Sequence, residues 1–397
     1  MDLGAGGSYG RRMTAFGTFP LGLSDEQEQR AARLHADAVV IDLLYWGPAS
    51  HQAYTAEMEQ ELRDSYAGHR STMTSIMEAL HQPHRRAVAG QMPELRDIWA
   101  QSGVTAGSLQ LAVGDPNDLL ASAGYLSAVT DSLDWMRKVN TADDIVQAKQ
   151  QGQLAWIGNC QPTVPVSRDL SLLDHARDLG LRMLMLTYNQ QDHVGAGGTE
   201  IHDAGLSAFG RQVVAHCNAN RIVVDTAHCG PQTTLDACRT SQAPVVASHT
   251  SSKSVFGHDR GKSDDVLKAL ASTGGVIGIV TVPFFIAEPR TADLNTWANH
   301  VEHVAGLVGV EHVAIGTDWP MPGPVWSLAL VADFAAQHGF RGEEHQIDDT
   351  AYTMGGFDDY RDFVNLTRVL VARGWSDEDI TAVLGGNALR VLREVLG

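Results

Sequence analysis

His228 sits near the end of the run RIVVDTAHCG (221–230), and His249 sits in PVVASHTS (244–251). Both follow apolar, β-branched stretches of strand character. Two neutral imidazoles brought to one rim of a sheet would suit a borderline divalent cation such as zinc. Asp318, at the end of HVAIGTD (312–318), could complete that ligand set or take a proton from a metal-activated water. Tyr188 and Asn189 close LRMLMLTYN (181–189), and Gln161 follows Cys160 at the end of QLAWIGNC (153–160). In SVFGHDRGKSDD (254–265), Arg260 could fork onto a substrate carboxylate through two parallel hydrogen bonds. The alternative for Arg260 is an ion pair with Asp264 or Asp265. A lone histidine after a strand ordinarily bonds within its loop; two in successive units, with an aspartate ending the last strand, favour the metal.

These groups can meet only if the elements carrying them share a rim. Eight apolar runs read as strands: 38–44, 103–113, 153–160, 181–189, 221–229, 244–249, 275–285 and 312–318. Helical patterns follow each of them, which predicts an α/β fold, a parallel (β/α)8 TIM-type barrel, over an open doubly wound sheet. The open sheet would favour a GxGxxG after the first strand, and none is present. In such a barrel polar residues at strand C-termini point into the active-site mouth. Residues 21–397 read as a single barrel domain with a helical C-terminal segment, and residues 1–20 as a mobile N-terminal tail.

A hydrophobic fraction of 44% with 19% charged residues is that of a folded globular chain. The net charge of −18 argues against nucleic acid and anionic membrane surfaces as partners. The opening segment lacks an apolar core of signal-peptide length, no run is long enough for a membrane helix, and Cys160, Cys217, Cys229 and Cys238 form no CxxC pair. A cytoplasmic location is the expectation.

Several stretches resemble the renal or membrane dipeptidases, metal-dependent members of the amidohydrolase superfamily. They are LTYNQQDHVGAG, DAGLSAFGRQVVAHCN, VVDTAHCG, VVASHTSSKSV, DRGKSDD, AIGTDWP and GWSDEDITAVLGGNALRVL, in family order from about residue 181 onward. The resemblance implies a (β/α)8 barrel, commonly dimeric, so a homodimer is expected. It implies that His228 and His249 hold the second zinc of a pair, that Arg260 grips the substrate's terminal carboxylate, and that Asp318 assists the amino end and the proton transfers. Tyr188 stands where many relatives have a histidine touching the substrate or its tetrahedral intermediate; it keeps a hydroxyl donor and loses a group that titrates near neutrality.

The first-strand motif of the family, of the form DGHxD, here reads DLLYW (42–46). Asp42 is kept, but Leu44 and Trp46 occupy the positions of the metal-binding His and Asp. Gln161 stands in place of the bridging glutamate. Neither leucine nor indole ligates zinc, so at most one divalent metal, zinc, is expected. Trp46 either reshapes the pocket toward a flatter or more apolar ligand or packs in the barrel mouth, with Gln161 and Asn189 as further substrate contacts. His51 could re-enter the mouth as a ligand or base, or lie in an exposed loop. The leading expectation is a dipeptidase-like hydrolase acting on an amide bond of a small carboxylate-bearing substrate. The alternatives are an isomerase, lyase or dehydratase-type enzyme on the same barrel, and a non-catalytic carboxylate-binding protein.

Overall fold

The computed structural model describes residues 16–45, 55–67, 81–112, 116–163, 167–288, 290–320 and 354–397. Trp46, His51 and most of the expected tail lie outside these residues. The strands are β1 (Ile41–Asp42), β2 (Ala106–Ala112), β3 (Met136–Lys138), β4 (Leu154–Cys160), β5 (Leu181–Met185), β6 (Val223–Asp225), β7 (Val245–Ser252), β8 (Gly261–Lys262), β9 (Ile277–Ile279) and β10 (Val313–Ile315). Parallel pairing runs in the order β2-β1-β10-β9-β7-β6-β5-β4, and β4 pairs back to β2, closing an eight-stranded ring. This is the (β/α)8 barrel that the eight apolar runs predict, each run holding one stave.

Two short strands were not legible in the pattern. β3 lies beside the first half of β4, Met136 opposite Leu154, while β5 takes up the second half from Gly158 onward. β8 prolongs the sheet past the end of β7, pairing Ser251 with Gly261 and Ser252 with Lys262. Strands of two or three residues are too short for an alternating pattern to show.

Alternation along each strand splits the core in two. Ile41, Ala106, Ala155, Ile157, Met183, Val223, Val246 and Ala314 face inward and pack on Ala388, Val391, Leu392 and Val395 of the last helix, Asn387–Leu396. Their neighbours Val40, Trp156, Leu184, Val224, Val245 and Ile315 face outward beneath the surrounding helices. The inward set lies toward the strand N-termini, so the C-terminal helix seals the barrel floor and leaves the opposite mouth to polar residues. The SDED start signal is realised: the Ser376 side chain accepts from the Asp379 amide at 3.1 Å and caps the helix Asp377–Thr381. No helix among the described residues is long and apolar enough to cross a membrane.

Asp42 shows why the first strand keeps its aspartate without its metal motif. Fully buried, it accepts from the Thr317 amide at 2.8 Å, the Thr317 hydroxyl at 2.5 Å, the Leu44 amide at 3.2 Å and the Tyr360 hydroxyl. The Asp318 amide in turn donates to the Leu44 carbonyl at 3.0 Å. One carboxyl therefore joins the ends of β1 and β10 and anchors the backbone that carries Asp318.

Burial pushes the Asp42 carboxyl up to about 7, against the pull of its hydrogen bonds. Below about pH 4 the native and unfolded chains both hold this proton. As pH rises through about 7 the unfolded chain has already lost it while the native one must still pay desolvation, so the contribution is lost, up to roughly 4 kcal/mol. Urea unfolding of wild type and Asp42→Asn at about pH 4.5 and about pH 8 should show the variant gaining relative stability at the higher pH. An identical difference at both values would contradict this origin.

Candidate active site

β6 and β7 run side by side with Asp225 opposite Val246. Carrying that offset forward places His228 level with His249, both at the C-terminal end of the barrel. A bulge then turns His249 inward: Ala247 pairs with Ile277 and Thr250 with Ile279, so β7 spends one residue more than β9 over this span. The bulge pushes the Ser248 carbonyl against β9 and β10. A Cβ on Gly278 would lie 1.9 Å from that oxygen, and one on Gly316 would lie 1.8 Å from it. Only glycine fits at either position.

The two imidazoles meet. His228 Nε2 and His249 Nε2 are 2.8 Å apart, with ring centroids 4.8 Å apart at 63°. His228 Nδ1 lies 2.7 Å from Asn189 Oδ1, and the Tyr188 ring stacks on His228 at 4.0 Å. His249 Nδ1 lies 2.7 Å from Ser248 Oγ, which donates to Asp225 Oδ2 at 2.5 Å. Burial, then the charges of Arg260 and Lys262, hold the His249 imidazole well below its usual range, which keeps it neutral.

Arg260 is buried against the same turn. Its Nη1 donates to the Ala227 carbonyl at 2.6 Å and its Nη2 to the His249 carbonyl at 3.4 Å, with the guanidinium over the Phe285 ring at 5.5 Å. It makes no ion pair with Asp264, which bonds His303 and Ser254 instead. Arg260 Nε and Asn189 Nδ2 are buried without a partner among the described residues, and such donors are costly to leave unmet. Tyr188 feels both neighbours: burial and then the charge of Asp318 push its phenol up, and Arg260 opposes them. The phenol therefore stays an O–H donor. Asp318 itself adopts φ 51°, a left-handed conformation at the end of β10. Gln161 is buried after β4, its carbonyl accepting from Gln110 Nε2 at 3.2 Å.

Three contributors went unseen in the sequence: Asp225, Ser248 and Lys262. Lys262 Nζ donates to the Thr226 carbonyl at 2.9 Å and the Cys229 carbonyl at 2.6 Å. With Arg260 it clamps the turn that carries His228. The signal for the first two was present in strand alternation, which turns Asp225 and Ser248 to one side of neighbouring strands. The polar residues of the loop after β5 are occupied by local structure. Asp192 accepts from the Val194 amide at 2.7 Å, His193 Nε2 lies 2.6 Å from the Ser167 carbonyl, and Asp203 accepts from the Gln232 amide at 2.6 Å at the start of the helix Pro231–Thr240.

The site supplies two side chains of a type that ligates zinc, fewer than a complete ligand set. Two imidazole nitrogens converge in a buried mouth, and neutral imidazole is a strong ligand for zinc. Among the described residues no third His, Cys, Asp or Glu joins them in a set able to hold a metal. Leu44 offers no donor where the family's first-strand histidine would stand.

A family model described as membrane dipeptidase (Peptidase family M19) matches residues 118–329 and 345–396. The chain belongs to the membrane dipeptidase family. Among curated proteins of this kind, the dipeptidase tcpJ of Claviceps purpurea is 28% identical over 266 residues, covering 66% of this chain and 56% of that protein. The chain thus spans little more than half the length of that relative. Among solved structures, an amidohydrolase from Pseudomonas aeruginosa superposes with a TM-score of 0.72 at 26% identity, covering 92% of this chain and 99% of that one. The probable dipeptidase PvdM from the same organism superposes with a TM-score of 0.70 at 17% identity, covering 94% and 99%. The second likeness is one of fold.

The bulge makes the geometry of this barrel mouth depend on glycines that carry no functional group of their own. Gly316→Ala should cost at least about 2 kcal/mol of stability. Gly306→Ala, whose added methyl meets nothing within 4 Å, should be neutral or stabilising by up to about 1 kcal/mol. Equal unfolding midpoints for the two variants would contradict the close approach.

Proposed function

We infer that this chain is a dipeptidase-like hydrolase that cleaves an amide bond in a small substrate bearing a free carboxylate, with one zinc-class divalent ion held by His228 and His249. The observation that carries this reading is the 2.8 Å approach of their Nε2 atoms beside the partly unsatisfied Arg260 guanidinium. The family membership and the fungal dipeptidase relative support it.

A metal bound there would polarise the substrate carbonyl and acidify a water. The rest falls to this chain's own groups. Arg260, fixed by the Ala227 carbonyl, presents Nε to the substrate carboxylate and sets its register in the mouth. Asp318 accepts a proton from the attacking water and delivers it to the leaving amine. Tyr188, kept protonated, donates its hydroxyl hydrogen to the oxyanion of the tetrahedral intermediate. Asn189 and Gln161 line the remaining wall and exclude bulk water. Leu44 leaves the family's other cation without a seat, which supports one metal per chain in place of two.

Metal analysis of protein purified without chelator should give about one divalent ion per chain. His228→Ala and His249→Ala should each lose that ion and at least about 100-fold in kcat/KM toward dipeptides. Two ions per chain, or retained turnover in both variants, would overturn the reading. Arg260→Lys should raise KM about 10- to 100-fold for a dipeptide and leave the corresponding dipeptide amide unaffected. An equal loss on both substrates would remove Arg260 from carboxylate recognition.

A further inference from the structure

A small peptide held at Arg260 must cross the barrel mouth, and strand order decides what it meets on the far side. The ring runs β2-β1-β10-β9-β7-β6-β5-β4 and closes on itself, so β1 and β2 lie four staves round from β6 and β7. Arg260 is tied to the turn after β6 and to β7 through the Ala227 and His249 carbonyls. The wall opposite is therefore built by β1, β2 and the adjoining β4. Ala106 of β2 and Ala155 and Ile157 of β4 face inward, while Leu109 and Trp156 face outward. Alternation then turns Ser108 and Gln110 inward on β2, and Asn159 and Gln161 inward on and just after β4. Register sets Gln110 beside Asn159.

All four of these side chains are uncharged and buried. Gln110 Nε2 donates to the Gln161 carbonyl at 3.2 Å, and Asn159 Nδ2 donates to Ser108 Oγ at 2.6 Å. Asn159 Oδ1 is buried with no hydrogen-bond partner among the described residues. The far wall thus leaves an acceptor unmet where the near wall leaves a donor, Arg260 Nε, unmet. From β1 the inward set receives only apolar side chains, Ile41 and Leu43. Asp42 is committed to the seam with Thr317 and Tyr360. The field of Asp318 reaches Tyr188 and Arg260, and the mechanism above uses its carboxylate as the base. Among the described residues this leaves no carboxylate to receive a cation at the far wall. An ammonium brought there would lose its hydration and gain no counter-charge. An amide N–H or carbonyl would instead find matching acceptors and donors in the glutamine and asparagine side chains.

We propose that Gln110, Gln161 and Asn159 form a neutral subsite that selects peptides whose amino end is blocked as an amide, with Arg260 holding the carboxylate at the other end. The proposal rests on the hydrolase reading above and narrows its substrate class from dipeptides to N-acylated dipeptides. The bond broken is the same. Water's oxygen joins the acyl carbon of the central amide, the C–N bond breaks and the leaving nitrogen takes the proton, giving an N-acylamino acid and a free amino acid. Discrimination comes from the mismatch as much as from the match, because a free amino end meets dipoles where it needs a charge. Gln110 and Gln161 are the specificity-determining side chains, and Asn159, bonded to Ser108, backs them from the neighbouring position on β4.

The test measures binding and turnover separately on the full chain as purified, with glycylglycine and N-acetylglycylglycine as probes: Kd by calorimetry, and release of free glycine. Wild type should bind the acetylated peptide at least about 10-fold more tightly. Gln110→Leu should weaken N-acetylglycylglycine about 10-fold and leave glycylglycine within about twofold. Gln110→Glu, which sets a carboxylate on the wall, should move the ratio of the two Kd values at least about 10-fold toward glycylglycine. Tighter binding of glycylglycine by wild type, no measurable binding of either peptide, or an unchanged ratio in both variants overturns the subsite. If glycine is still released in those cases, the hydrolase reading stands without it. Tighter binding of N-acetylglycylglycine with no glycine released from either peptide removes the hydrolase reading and supports the subsite. Should Gln110→Glu fail to fold, Asn159→Asp, whose carboxylate can accept the Ser108 hydroxyl hydrogen, must give the same shift; an unchanged ratio there overturns the subsite.

Discussion

Everything at the mouth of this barrel turns on two ring nitrogens brought within 2.8 Å of each other. At that distance the two rings share a hydrogen bond, and a buried polar pair of this kind depends on every other nitrogen also being bonded. The scaffold holds it by bonding the far nitrogen of each ring: Asn189 after β5 on one side, Ser248 and through it Asp225 on the other. The geometry of the pair is thus a property of three neighbouring strands. No single loop could make it.

Holding the rings in place requires the backbone around them to be stiff, and buried cations supply much of that stiffness. Arg260 and Lys262, both on or beside β8, reach back to the carbonyls of Ala227, Thr226 and Cys229. An ammonium or guanidinium buried among carbonyls makes charge-assisted hydrogen bonds that are stronger than neutral ones. Lys262 is held down to about 8 by its burial, which marks the desolvation it carries. Arg260 fixes the turn under His228, while its Nε has no hydrogen-bond partner among the described residues. A substitution there would disturb both, which is why lysine, with a single charged centre at similar reach, separates recognition from support better than alanine does.

Across the barrel the first strand serves closure. Leu44 contributes its backbone to β10, Asp42 gathers donors from Thr317 and Tyr360, and Tyr45 packs edge-on against Tyr360 at 4.8 Å. Gly107 makes room for the Tyr45 ring, since a Cβ there would lie 2.6 Å from it. The seam carries Asp318 in its left-handed conformation, within reach of the fields of Tyr188 and Arg260. A first strand without ligand side chains is thus still a well-packed one.

The sequence by itself determined the local outcomes. Alternating or continuous apolar runs set the number of staves, their polar last residues set the mouth, and SDED marked a helix start. DLLYW and Gln161 led to the expectation of at most one metal. These features depend on neighbours within a few residues, where side-chain chemistry acts directly on the backbone. Tertiary structure alone decided which partners hold the two rings and where Arg260 is anchored. It also decided that Asp203 accepts from the first turn of the helix Pro231–Thr240, and that two- and three-residue strands complete the sheet. Each of those depends on register between strands and on one bulge of a single residue. A residue's partner across a parallel sheet lies tens of positions away in the chain, and a shift of one position turns every side chain to the other face.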